Sequence, residues 1–243
     1  LPDIVKNFVK YDKGLVLVTG PTGSGKTTTL ASLINLILTT YRKHVITIED
    51  PIEFVFKHGK GIVNQRQLEV DTRSFYRALK SALREKPDVI LVGELRDPET
   101  MEVALTAAET GHLVFSTLHT NSAIETINRI VSVFPSTKQD QIRTQLSFVL
   151  KGVISQKLLK RRDRQGRVLA AEVMVPNNAI KSLIRDNKIE QIRNYINPGN
   201  DTGILMEESL ARLARMGMVE YEEALMVAND KKYFENLYRR IRV

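Results

Sequence analysis

Leu15-Val16-Leu17-Val18-Thr19, followed at once by Gly20-Pro21-Thr22-Gly23-Ser24-Gly25-Lys26-Thr27, is the stretch that decides the fold. Five apolar or β-branched residues in a row read as a short buried strand, and the next eight match GxxxxGK[ST] completely. Glycines at those spacings let a backbone wrap phosphate oxygens, and a helix beginning there presents N–H groups that have no partner within the helix. Lys26 then reaches terminal phosphates, and the Thr27 hydroxyl joins a magnesium shell. The candidate nucleotide set is Gly20, Pro21, Thr22, Gly23, Ser24, Gly25, Lys26, Thr27 and Thr28, with ATP and Mg²⁺ as the expected ligands. A flexible glycine turn is the plain alternative. The apolar strand before the loop and the helical spacing after it, to about Leu38, argue against that reading.

Outward from this loop, strand and helix signals alternate. Strands are expected at 45–48, 89–93, 113–117, 153–159 and 168–175. IVNQRQ at 62–67 is a weaker strand, in a hairpin or as an extension of a sheet. Helical spacing covers 73–85, 99–110, 122–134 and 138–150, the last two parted near Pro135, and Leu1, Ile4, Val5 and Phe8 suggest a short leading helix. Such alternation predicts a mainly parallel sheet covered by helices, an α/β core of the RecA-like kind. After Pro176 the periodicity of Ile180, Leu183, Ile184, Ile189, Ile192, Leu210, Leu213 and Leu225 is helical, with turn residues in NPGNDTG at 197–203. The expected organisation is a core at 1–175 and a small all-helical subdomain at 176–243.

Acidic residues follow two of the strands. Glu49, Asp50 and Glu53 lie in ITIEDPIEF and can position magnesium or an attacking water at the carboxyl edge of the sheet, although a solvated acidic turn has the same composition. Glu94 follows VILVG directly, where a carboxylate can orient water opposite a departing phosphate. A cap or salt bridge is its alternative role. His112 and His119 bracket the 113–117 strand in GHLVFSTLHTNS and could respond to a terminal phosphate; ordinary structural hydrogen bonds are the competing reading. Arg73, Arg84 and Arg96 are candidate cations for developing phosphate charge.

Composition narrows the rest. With 42% apolar and 26% charged residues, the 243-residue chain is a folded protein and not a disordered one. It contains no cysteine, which removes disulfides, thiol chemistry and thiolate zinc sites. Its formal charge of +8 favours acidic partners without choosing among them. The basic clusters at 157–167 and 231–242 read first as solvated faces or subunit contacts, and no nucleic-acid partner is expected. The longest apolar runs are too short to cross a bilayer, so membrane association should be peripheral or through a partner. LPDIVKNFVKYDKG carries neither an initiator methionine nor a targeting pattern and reads as a chain beginning mid-protein.

GPTGSGKTTTLA, ITIEDPIEF, DVILVGELRDPET and GHLVFSTLHTNSA, in that order, resemble the Walker A region, Asp box, atypical Walker B region and His box of the secretion ATPase superfamily. The likeness extends over essentially the whole chain and is strongest to the type IV pilus retraction ATPases. It implies Lys26 and Thr27 at phosphate and Mg²⁺, Glu53 for the Asp box, Glu94 as catalytic glutamate with a place beside the metal, and His112 with His119 for the His box. It also implies a homo-hexamer working in the cytoplasm against the inner-membrane platform of the pilus. NAIKSLIRDNKIEQI at 178–192 is similar to the AIRNLIRE region of retraction ATPases, departing from it at Lys181, Ser182 and Asp186. Assembly and type II secretion ATPases commonly carry a tetracysteine insert, so the missing cysteines favour the retraction branch. The family places a PAS-like domain that contributes arginines ahead of the core; with the phosphate loop at Gly20, that domain is expected to be absent here. A nucleotide-dependent regulatory module and a DNA-translocating ATPase are the alternatives from other classes.

Overall fold

The computed structural model describes residues 1–196 and 202–241. A 3-10 helix, Asp3–Lys10, leads into β1 (Gly14–Thr19), and α1 (Lys26–Thr40) follows the glycine loop. Next come β2 (His44–Glu49), β3 (Ile62–Gln67), α2 (Phe75–Ala82), β4 (Val89–Val92), α3 (Pro98–Glu109) and β5 (Leu113–Leu118). Two helices, α4 (Ala123–Ser132) and α5 (Ser136–Val149), precede the long strands β6 (Leu150–Lys160) and β7 (Arg167–Met174). The chain closes with α6 (Asn178–Arg185), β8 (Gly203–Ile204), α7 (Met206–Arg215), α8 (Tyr221–Val227) and α9 (Lys231–Arg240).

The strands form one sheet in the order β3-β2-β4-β5-β1-β6-β7-β8. All pairs from β3 to β6 are parallel, and β7 and β8 continue the sheet antiparallel. Every residue of β1, β4 and β5 is buried. Their continuous apolar runs, without alternation, are what a parallel strand covered on both faces requires. One face carries α2 to α6, whose Leu79, Leu105, Ile127, Leu146 and Ile184 share a core cluster. The other is covered by α1 and the leading 3-10 helix, through Ile34, Leu38 and Phe8.

Helix starts follow local chemistry. Asp97 accepts from the Thr100 N–H at 2.7 Å with Pro98 at the first helical position, so α3 begins there. Ser122 accepts from the Glu125 N–H at 3.1 Å at the start of α4, and Glu125 reaches back to the Asn121 N–H at 2.8 Å, one residue ahead of the cap.

Of the two forms expected for IVNQRQ, the sheet extension is the one found: β3 runs parallel to β2, in register from His44 opposite Ile62 to Glu49 opposite Gln67, and widens the sheet. Among the described residues beyond 176 one expectation changes: the short strand β8 interrupts the helices and pairs with the end of β7. Ile180, Leu183, Ile184, Ile189, Ile192 and Ile196 pack in the same core cluster as α2 to α5. A separate cluster joins α7, α8 and α9 to Leu159 and Ala170 of the β6–β7 hairpin. Most of the expected turn at 197–203, and Arg242 of the second basic run, lie outside the described residues.

Candidate functional site

In a parallel sheet the loops leaving the carboxyl ends of neighbouring strands converge, and a crevice forms where connections leave to opposite faces. Here the glycine loop leaves β1, the 50–56 segment leaves β2, Glu94 follows β4 and His119 follows β5. Their side chains line one cleft of about 230 Å³, with Lys26, Thr27, Glu53, Glu94, Arg96 and His119 among its walls.

The loop geometry is dictated by its glycines. Gly20 has φ +142°, and a Cβ there would stand 2.4 Å from the Gln156 carbonyl oxygen and 2.6 Å from Ser24 Oγ. Gly25 caps α1 at φ 88°, a left-handed conformation that leaves the first N–H groups of the helix facing outward. Lys26 Nζ donates to the carbonyls of Gly20 at 2.8 Å and Pro21 at 3.1 Å. Burial pushes its pKa down, opposed by the charge of Glu94. Ser24 is buried within the loop, whereas Pro21, Thr22, Gly23 and Thr28 are exposed at its rim.

The carboxylates divide by environment. Glu49 is buried and accepts from Thr47 Oγ1 at 2.6 Å and Gln65 Nε2 at 3.1 Å, so it is engaged in holding the end of β2. Glu53 is exposed and accepts from Thr27 Oγ1 at 3.3 Å, joining the 50–56 segment to the first turn of α1. Glu94 accepts from Arg96 Nε at 2.8 Å and lies 3.4 Å from His119 Nε2. Thr117 Oγ1 donates to the Gly93 carbonyl at 2.6 Å and the Leu95 N–H to the Thr117 carbonyl at 3.2 Å, which fixes the turn bearing Glu94 against β5.

His112 does not reach this cleft. It precedes β5, at the opposite end of the strand from His119, and its Nδ1 lies 3.1 Å from the Ala107 carbonyl. Six strand residues at about 3.3 Å each separate the two rings by roughly 20 Å within one chain. Arg73 and Arg84 are exposed and lie outside the cleft lining, so Arg96 alone of the three arginines is placed at the site.

Several contributors were invisible to motif reading. Gln65 accepts from the Phe56 N–H at 2.8 Å and donates to the Phe54 carbonyl at 2.9 Å, and Gln67 accepts from the Ile52 N–H at 3.1 Å. These amides, two residues apart on one face of β3, moor the segment that carries Glu53. The only hint in the sequence was their alternation in IVNQRQ. Arg167 at the start of β7 reaches the Gly23 carbonyl at 3.5 Å; it ends the basic cluster at 157–167, which reads first as a solvated face or subunit contact.

Among the described residues no group of three or more His, Cys, Asp or Glu side chains is placed to hold a metal by itself. The Thr27 hydroxyl with the Glu53 and Glu94 carboxylates is nevertheless an all-oxygen donor set, which fits magnesium: that ion keeps several waters and binds through one or two carboxylates plus phosphate oxygens.

The family model described as "Type II/IV secretion system protein" matches residues 2–226. The "Twitching motility protein" of Neisseria gonorrhoeae is 54% identical over 232 residues, 95% of this chain and 62% of that protein. The "Type IV pilus retractation ATPase PilT" of Pseudomonas aeruginosa is 50% identical over 223 residues, 91% of this chain and 64% of that one. The chain thus spans less than two thirds of the length of these two relatives. The solved structure "Crystal Structure of the Pilus Retraction Motor PilT and Bound ADP" superposes with a TM-score of 0.91 at 53% identity, covering 97% of this chain and 67% of its own.

Proposed function

Because the chain belongs to the type II/IV secretion system protein family, we propose that it is the ATP-hydrolysing part of a type IV pilus retraction motor. The observation that carries the proposal is the position of Glu94. It stands in the cleft that holds Lys26 and Thr27, with a histidine and an arginine at its carboxylate. Two relatives named for twitching and pilus retraction align over more than nine tenths of the chain, and they supply the branch. The AIKSLIRD helix and the lack of cysteine agree with it.

In this reading the phosphates of ATP lie along the glycine loop, where outward N–H groups at the start of α1 and the Lys26 ammonium meet their charge. Lys26 exchanges its carbonyl partners at Gly20 and Pro21 for phosphate oxygens. Magnesium, held through Thr27 with Glu53 and Glu94 nearby, would neutralise charge on the β- and γ-phosphate oxygens. Glu94 orients the attacking water and takes up its proton, and Arg96 and His119 hold the direction of that carboxylate. His119, at the end of β5, is placed to register loss of the γ-phosphate.

The working assembly is a homo-hexamer on the cytoplasmic face of the inner-membrane pilus platform, with nucleotide at subunit boundaries. No helix of the described residues is long and apolar enough to cross a membrane. The test is ATP affinity and turnover measured together across protein concentration, with GTP as competitor, followed by complementation of a strain lacking its retraction ATPase. Turnover per chain that rises with assembly and restored twitching support the proposal. Nucleotide binding without turnover at any concentration would reduce the chain to a regulatory module.

A further inference from the structure

Glu172 lies on β7, outside the cleft, and only 3% of it is exposed. Its Oε1 accepts from the N–H of Ala123, the first residue of α4, at 2.7 Å. The N–H of Met206, the first residue of α7, also faces this carboxyl and favours its charged form. One buried side chain therefore caps the start of α4 and lies against the start of α7, two helices from different parts of the molecule. Such a group is expensive to bury, and a purely apolar contact would hold two helices more simply.

What hangs from each helix gives the arrangement its meaning. The turn from His119 to Ser122 is attached rigidly to the first turn of α4: Thr120 and Thr126 hydroxyls are 2.6 Å apart, and the Asn121 N–H donates to Glu125 at 2.8 Å. On the other side, Glu207 of α7 is fully buried, accepts from Arg193 at 3.0 Å and takes the N–H of Asp230 at 2.8 Å, at the start of α9. Beneath the glycine loop, Thr19 and Ser155 hydroxyls meet at 2.8 Å, and Ser155 pairs across the ladder with Glu172.

We propose that Glu172 is a positioning residue of the nucleotide site: by holding the starts of α4 and α7 together it fixes the His119 turn and links it to the C-terminal helices. This rests on the hydrolytic reading above. It adds a route by which a change at His119 moves α7 to α9, or by which a load on those helices alters the site.

The charged groups facing Glu172 are Glu207 on α7, Arg193 on the 3-10 segment after α6, and, farther off, Lys157 on β6, which also feels Glu125 on α4. Asp230 is the further acid at Arg193, 3.8 Å away.

The experiment uses the intact protein and Glu172→Gln, which keeps the shape and replaces one acceptor by a donor. Expected are a fall in kcat of about tenfold, a KM for ATP within about threefold, and faster amide exchange in both 119–126 and 205–209. Glu207→Gln, in the same buried cluster but without contact to α4, should lower the melting temperature and leave kcat within about twofold. Glu172→Gln with parental kcat, or with KM and kcat lost together, overturns the proposal. Should that variant fail to fold, the parent decides: Ala123 and Met206 should lose protection together as pH rises through about 7, where the buried carboxyl ionises, after correction for intrinsic exchange. Protection at the two sites that responds independently overturns it. A parent without ATP turnover would sink the hydrolytic reading, while the exchange measurements would still decide the link.

Discussion

His119 Nε2 lies 3.4 Å from Glu94 Oε1, and Arg96 Nε donates to the other carboxylate oxygen at 2.8 Å, so the ends of β4 and β5 meet at one acid with an imidazole on one side and a guanidinium on the other. A carboxylate so placed is held in one orientation, and Glu94→Gln keeps its size while removing its basicity. The variant should bind ATP with near-parental affinity and lose about 10²- to 10⁴-fold in turnover. Phosphate release and nucleotide titration on the same preparation check it. Turnover within threefold of the parent would remove Glu94 from the hydrolytic role.

Gly20→Ala should damage the loop itself. The new Cβ would sit 2.4 Å from a backbone oxygen at a φ of +142°, and backbone cannot step aside as a flexible side chain does. A loss of about 1–3 kcal/mol is expected, together with weakened ATP binding because the N–H groups are displaced. Chemical unfolding and ATP titration measure the two effects. Gly23→Ala, whose Cβ would meet nothing within 4 Å, is the comparison for left-handed strain alone.

Glu172 gives a pH signature. Burial, as the largest cause, raises its carboxyl from the usual 4.5 to about 7, against the backbone N–H of Ala123 that favours the ionised form. A raised acid means that the folded chain binds the proton more tightly than the unfolded one. Its contribution is therefore complete below about pH 4.5 and is lost as pH rises through about 7. Measured against Glu172→Gln, which cannot ionise, the parent should lose stability on the order of 3 kcal/mol across that window. Urea unfolding of both proteins at a series of pH values checks the sign, and a difference that is flat or grows with pH contradicts it.

On α6, Ile180, Leu183 and Ile184 are buried, while Lys181 is half-buried and Arg185 exposed. Leu183→Ala should destabilise by about 2–5 kcal/mol. Lys181→Ala and Arg185→Ala should leave unfolding and ATP affinity nearly unchanged but impair retraction, if this helix is a coupling surface. Retraction at the parental rate in both polar variants would assign α6 to packing alone.

Much of the architecture was legible because its signals are local. Eight consecutive residues, 20–27, specify the loop, and buried parallel strands announce themselves as unbroken runs such as VILV in β4. The start of α4 near 122 was legible as the onset of helical spacing, and Ser122 caps it by accepting from the Glu125 N–H. The direction of β3 was not legible, since a strand of mixed polarity pairs equally well in a hairpin or in parallel, and only its partners distinguish the two.

By itself, then, the sequence determined the phosphate loop, the order of strands and helices and the presence of acids after β2 and β4, because each depends on residues within one or two turns of chain. The tertiary structure decided which of those side chains share a space. Glu49 and Glu53 are four residues apart, yet one is drawn into hydrogen bonds with Thr47 and Gln65 while the other meets Thr27. His112 and His119 belong to one sequence motif, yet an extended strand carries them to opposite edges of the sheet. Glu172 became visible only when Ala123, 49 residues before it, was found donating to its carboxylate. A buried polar group must find its partner wherever the fold provides one, and sequence separation places no limit on where that is.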